Sequence, residues 1–150
     1  MAEPALEFDL PIERDRVRDF ALAVGEDNPV FFDVEAARQQ GFPDVVAPPT
    51  FTVSQIWQVS REEREERLGA RLDYARVLHG EQEFFFSRLP VAGEILRGVM
   101  RISKDSTKPG RRGGEMRLVT YESRFTDAQG AEVLTACYTL IQTGVDHTGA

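Results

Sequence analysis

Apolar positions along this chain follow two different periods, with the change falling near Arg76. In the first half the spacing is helical. Val17, Phe20, Ala21 and Val24 stand at i, i+3, i+4 and i+7, which predicts an amphipathic helix over Ile12–Val24 closed by Gly25. The stretch before it, Ala5–Pro11, reads as a short strand ended by its proline. A second helix is predicted over Asp33–Gln40, with Asp33 as N-cap, Glu35 in the first turn and Gly41 past the end. Pro48 and Pro49 can begin a helix but not sit inside one, so a third starts near Thr50. Its first half (Phe51, Val53, Ile56, Trp57, Val59) is apolar on more than one face, which predicts burial on several sides. The "REEREER" that follows is almost wholly charged and is predicted to project into solvent.

After Arg76 the period is two. "HGEQEFFFSR" reads as a strand, followed by the turn "LPVAGE". In "ILRGVMRIS", Leu96, Gly98, Met100 and Ile102 alternate with Arg97, Val99, Arg101 and Ser103. In "GEMRLVTYESRFT", Met116 and Leu118 alternate with Arg117, and the pattern runs on through Tyr121 and Phe125. "DAQG" makes a hairpin turn with Gly130 free to take a positive φ, and "AEVLTACYTLIQT" is a final strand rich in β-branched residues. One long apolar helix followed by four antiparallel strands predicts an α+β fold, a curved sheet wrapped around that helix.

At 150 residues the pattern fits a single domain over 1–150, with a frayed tail at 143–150. A hydrophobic fraction of 41% and 29% charged residues are ordinary for a globular protein. No apolar run is long enough to span a membrane, and the start "MAEPALEFDL" lacks the features of a signal peptide. Cys137 is the only cysteine, which excludes an intrachain disulfide and fits a reducing cytoplasm. The net charge of −7 argues against a nucleic-acid partner. Against that balance, "KDSTKPGRR" places Lys104, Lys108, Arg111 and Arg112 close together, either as a solvated hairpin loop or as a patch for phosphates. No spacing resembles a metal site, and no glycine-rich loop precedes a helix, so neither metal nor cofactor is expected.

The order of elements, with "GEDNP" ahead of the apolar helix, resembles the hot-dog fold of MaoC-like (R)-specific hydratases and dehydratases. The residues that carry the resemblance are "RVRDFALAVGEDNP", "EAARQQGF", "VVAPPTF" and "RLPVAGEIL". Active members bear a loop G-D-x-N-P-(apolar)-H, whose Asp and His handle the proton and water beside an acyl thioester. In that pattern Gly25, Asn28, Pro29 and Val30 match, but Glu26 stands for the Asp and Phe31 for the His. A phenyl ring has no lone pair or exchangeable proton, and losing a positioned acid/base costs on the order of 10²–10⁴ in rate. The family also polarises the thioester carbonyl with an amide N–H at the start of the apolar helix. Here Pro48-Pro49-Thr50 occupies that place, and proline has no N–H to give.

The chain is most similar to the FAS1-like dehydratase N-terminal domain and to the non-catalytic subunits of mycobacterial-type (3R)-hydroxyacyl-ACP dehydratases. That resemblance implies a subunit binding an acyl-CoA or acyl-ACP thioester, paired with a catalytic hot-dog chain or with itself. It implies substrate contacts at Asn28, Phe31, Val46, Ala47, Thr50 and Phe51, and phosphate or carrier-protein contacts at Lys108, Arg111 and Arg112. Taken from the residues alone, Asn28-Pro29 is a turn, and Phe31 and Phe32 are core or interface residues. His79 reads as structural or interfacial. Its alternative role is a substitute base working with Glu26 or Glu81. Two competing functions remain: a self-sufficient hydratase or dehydratase using Glu26 or His79, and a non-enzymatic acyl-ligand-binding homodimer.

Overall fold

The computed structural model describes residues 3–111 and 114–145; Arg112 and His147 lie outside the described residues. Five strands form one antiparallel sheet: β1 (Leu6–Pro11), β2 (Val77–Phe86), β3 (Ile95–Pro109), β4 (Glu115–Thr126) and β5 (Glu132–Val145), in the order β1-β3-β4-β5-β2. Three α-helices, α1 (Arg14–Ala23), α2 (Val34–Gln39) and α3 (Arg61–Leu68), and three 3-10 stretches at Pro29–Phe31, Phe51–Trp57 and Tyr74–Arg76 complete the chain. The architecture is the α+β arrangement that the change of period predicts.

One face of the sheet makes the core. Leu6, Phe8 and Leu10 of β1, Leu96 and Met100 of β3, and Val119, Tyr121 and Phe125 of β4 join Leu134, Ala136 and Leu140 of β5 in one buried cluster. Val17, Phe51, Val59 and Leu68 pack onto it from the helical side. Burying one such side chain contributes about 1.5–3 kcal/mol. Gly98 has a packing reason. It is paired with both Phe8 and Phe125, whose rings meet edge to face at 5.8 Å, and a Cβ on it would lie 2.5 Å from Phe8 Cζ.

The segment read as one long helix is divided. Phe51–Trp57 winds as a 3-10 helix, and α3 starts afresh at Arg61, where Ser60 Oγ accepts from Glu63 N–H at 3.1 Å. The β-branched Thr52, Val53 and Ile56 disfavour α-helix, and Ser60 offers the backbone a competing cap. Burial on several sides is also corrected: Phe51, Thr52 and Gln55 are buried, but Ile56 is 62% and Trp57 77% exposed. Conversely, Arg64 of the charged half turns inward and is buried.

Three strand readings shift. Lys104–Pro109 continues β3 instead of forming a loop, past a bulge between Ile102 and Lys104, and Gly110 N–H closes the turn on Gly114 O at 2.9 Å. In β4 the buried face carries Val119, Tyr121, Ser123 and Phe125; Met116 and Leu118, an odd number of residues from Tyr121, are only half-buried. β5 runs through Val145, so 143–145 is strand, paired at its end with Glu115. Among the described residues no helix is long and apolar enough to cross a membrane.

Candidate functional site

The loop after α1 is built by a helix stop. Gly25 takes φ +78°, its N–H reaches Leu22 O at 3.1 Å, and Glu26 N–H reaches Ala21 O at 2.9 Å. These two bonds satisfy the last carbonyls of the helix and place Glu26 half-buried at its end. Asn28 Oδ1 then accepts from Val30 N–H at 3.1 Å, capping the 3-10 turn, and Asp33 Oδ1 accepts from Ala36 N–H at 2.8 Å, capping α2. Arg18 Nε donates to Phe32 O at 2.8 Å, which fastens the loop to α1.

Phe31, at the position of the family's histidine, points into a second apolar cluster. It is 9% exposed and packs with Ala21, Val30, Ala37 and Val46, flanked by Phe32, Phe42 and Leu89. The ring is thus packed as a core residue in this chain.

The segment 45–51 is anchored from both sides. Val46 N–H donates to Val30 O at 3.1 Å, Ala47 N–H to Pro90 O at 2.9 Å, and Ala92 N–H to Val45 O at 2.9 Å. The turn that supplies Pro90 and Ala92 is held by Arg88, which pairs with Glu94 and Asp127, while Glu94 Oε2 accepts from Val91 N–H at 2.8 Å. Asp44, bonded by Arg14 and by Val45 N–H, has its carboxyl held below the ordinary carboxylate range, chiefly by the Arg14 hydrogen bond. Val46, Ala47 and Pro48 are buried, Pro49 and Thr50 exposed. The chain thus delivers a fixed, buried shelf with no amide donor at either proline.

Between α1 and the 3-10 stretch lies a groove of about 620 Å³ lined by Arg16, Asp19, Phe20, Ala23, Phe51, Ser54 and Trp57. Of the residues expected at a substrate, only Phe51 lines it. Thr50 adjoins it in sequence, Asn28 serves as a cap, and Phe31, Val46 and Ala47 form core. Phe20 and Ala23, three apart on α1, and the exposed Trp57 complete the wall. The signal for Trp57 was the apolar excess of Phe51–Trp57, which read as burial, and that for Phe20 was the apolar face of the first helix.

His79 is on the edge strand β2, exposed, with Nε2 3.3 Å from Gln82 Oε1 and its ring stacked at 6.3 Å on Tyr138. No hydrogen bond or ion pair joins it to Glu26 or Glu81 among the described residues. Lys104 and Lys108 are exposed on β3, and Arg111 is exposed in the turn. Among the described residues no three metal-ligating side chains cluster.

Comparison with known proteins agrees with this fold. Residues 3–136 match the family described as FAS1-like, dehydratase domain region. A UPF0336 protein of Clavibacter michiganensis subsp. michiganensis is 43% identical over 136 residues, 90% of this chain and 87% of the relative. The HadBC (3R-hydroxyacyl-ACP dehydratase) complex from Mycobacterium tuberculosis is similar in structure, with a TM-score of 0.75 and 25% identity over 94% of this chain and 98% of the matched one. A protein described as a MaoC-like dehydratase reaches a TM-score of 0.80 at 28% identity, covering 97% of this chain but 43% of its own. The chain belongs to the FAS1-like dehydratase family, with the MaoC-like hot-dog fold of its dehydratase and hydratase neighbours.

Proposed function

We propose that this chain is the acyl-thioester-binding, non-catalytic subunit of an (R)-specific 3-hydroxyacyl-ACP or 3-hydroxyacyl-CoA dehydratase, working with a second hot-dog chain that supplies the Asp and His. Dehydration removes a proton from Cα and a hydroxyl from Cβ, so one group must take the proton and another must protonate the leaving oxygen. The observation that carries the reading is Phe31. Where the reaction needs an imidazole, this chain has a ring sealed in an apolar cluster. The proline pair at 48–49 withholds the carbonyl donor as well.

Binding has support of its own. The groove beside Phe51 falls within the usual volume of small-ligand sites and combines an apolar wall of Phe20, Ala23, Phe51 and Trp57, suited to an acyl chain, with Arg16, Asp19 and Ser54. The edge strand β2 leaves Leu78, Phe85 and Phe86 60%, 56% and 38% exposed, and an open edge with apolar side chains invites a second sheet. The mycobacterial neighbour is itself a dehydratase complex.

Reconstitution tests the proposal. The chain is to be co-expressed with a hot-dog protein bearing G-D-x-N-P-x-H, and hydration of 2-enoyl-CoAs measured for the mixture and for each component. A mixture far more active than either chain supports the assignment. A mixture no better than the partner alone removes it.

A further inference from the structure

Arg64 is a buried cation without a carboxylate. It is 7% exposed on α3 and takes part in no ion pair among the described residues. Instead Nη1 donates to the Tyr138 hydroxyl at 3.1 Å, Nη2 donates to the Tyr74 hydroxyl, and the guanidinium carbon sits 5.0 Å from the centroid of the Tyr121 ring. Burial opposes the charge, but the phenol oxygens of Tyr138, Tyr74 and Tyr121 outweigh it and hold the guanidinium pKa up. Arg64 Nε is buried without a hydrogen-bond partner, and the Tyr121 hydroxyl is buried with only Arg64 beside it. A buried charge that lacks an opposite charge is costly, and buried polar groups without partners are rare enough to need a reason.

The hydroxyls supply one. Tyr74 and Tyr138 each accept from Arg64, and neither donates its own proton to any group among the described residues. A hydroxyl that accepts from a cation becomes a stronger donor in turn. The two sit on the terminal nitrogens of one guanidinium, and both tyrosines are only half-buried. Arg61, itself ion-paired with Glu62 at 3.3 Å, lies 4.4 Å over the Tyr74 ring, and His79 stacks on Tyr138. The two hydroxyls and the guanidinium supply the donors, with Glu62, paired to Arg61, as the nearby carboxylate and with burial raising the Tyr138 pKa against the pull of Arg64.

We propose that Tyr74 and Tyr138, backed by Arg64, form a receptor for a compact oxyanion, carboxylate or phosphate in class. It draws on α3, β5 and the 3-10 turn before β2, shares no residue with the groove beside Phe51, and does not depend on the dehydratase reading.

The test uses the whole chain labelled for NMR, with acetate, inorganic phosphate and chloride titrated separately at matched ionic strength. The Arg64 Nε–H and tyrosine ring signals are followed. Saturable shifts are expected with acetate or phosphate and not with chloride; which of the two saturates identifies the class of ligand. Tyr74→Phe and Tyr138→Phe delete one hydroxyl each, and unaltered circular dichroism confirms their fold. Each is expected to raise Kd about tenfold or more, as loss of one charge-assisted hydrogen bond does. Equal shifts with chloride, no saturation by either oxyanion, or a Kd unchanged in both variants would overturn the proposal.

Discussion

Phe31→His is the most instructive single substitution, because it restores the side chain that active relatives carry while testing what the phenyl ring does. Phe31 is 9% exposed among Ala21, Val30, Ala37 and Val46. Burying a phenylalanine is worth about 1.5–3 kcal/mol, of which imidazole retains part. Its two nitrogens would meet no polar partner in that cluster, at a further cost of about 1–3 kcal/mol. The sum is a loss of about 2–5 kcal/mol, and at roughly 2–4 °C per kcal/mol for a chain this long, a fall in Tm near 10 °C. The pH dependence has a definite sign. A desolvated imidazole has its folded-state pKa below the unfolded value near 6.5, so the unfolded state binds the extra proton first and the deficit grows as pH falls below about 6.5. Thermal melts at several pH values, with a 2-enoyl-CoA hydration assay, read both outcomes. An unchanged Tm, or hydratase activity gained by this substitution alone, would refute the claim that Phe31 is core and that the chain lacks more than one catalytic part.

Other perturbations separate packing from binding. Gly98→Ala places a Cβ 2.5 Å from Phe8 Cζ and is expected to lose about 1–3 kcal/mol in urea unfolding, with Phe8→Leu in the same chain recovering most of it. Trp57→Ala, at a side chain 77% exposed, should change stability by less than about 0.5 kcal/mol while weakening acyl-CoA binding measured by calorimetry; unchanged affinity would take Trp57 out of the groove. Tyr121→Phe removes a buried hydroxyl that meets no group in good hydrogen-bond geometry and has only Arg64 beside it, so its Tm should stay within a few degrees of the parent. Asp44 has a lowered folded-state pKa, so its contribution is present above the ordinary carboxylate pKa and lost as pH falls through the lower folded value. Asp44→Asn should therefore be less stable than the parent at neutral pH, with the gap closing in acid.

The chain's local signals were legible where one force dominated. Asp33 and Gly41 mark α2 because a carboxylate cap and a left-handed glycine have few other uses, and the strands of the second half follow from alternation with one buried face. The segment 50–68 shows where that logic stops. Phe51, Ile56 and Trp57 are apolar for different reasons: Phe51 fills the core, whereas Ile56 and Trp57 are bare in the isolated chain. Periodicity alone does not distinguish an apolar residue facing a core from one facing a groove or a partner. Ser60 and Glu63 carried a capping signature that ends the long helix, yet within "VSREEREER" they read as part of a charged face. Arg64 was hidden among six other charged residues, because its burial depends on Tyr74 and Tyr138 arriving from 10 and 74 residues away. At 25–31 and 48–49 the sequence was legible as side-chain chemistry: a phenyl ring at Phe31 carries no titratable proton, and Pro48 and Pro49 carry no amide N–H.

The decisive property is whether this polypeptide turns over an acyl thioester by itself. Purified free of any other hot-dog protein and supplied with crotonyl-CoA and longer trans-2-enoyl-CoAs, it should bind them and hydrate none above the uncatalysed background. Sustained hydration by the lone chain, proportional to its concentration and abolished by Glu26→Gln or His79→Ala, would contradict it.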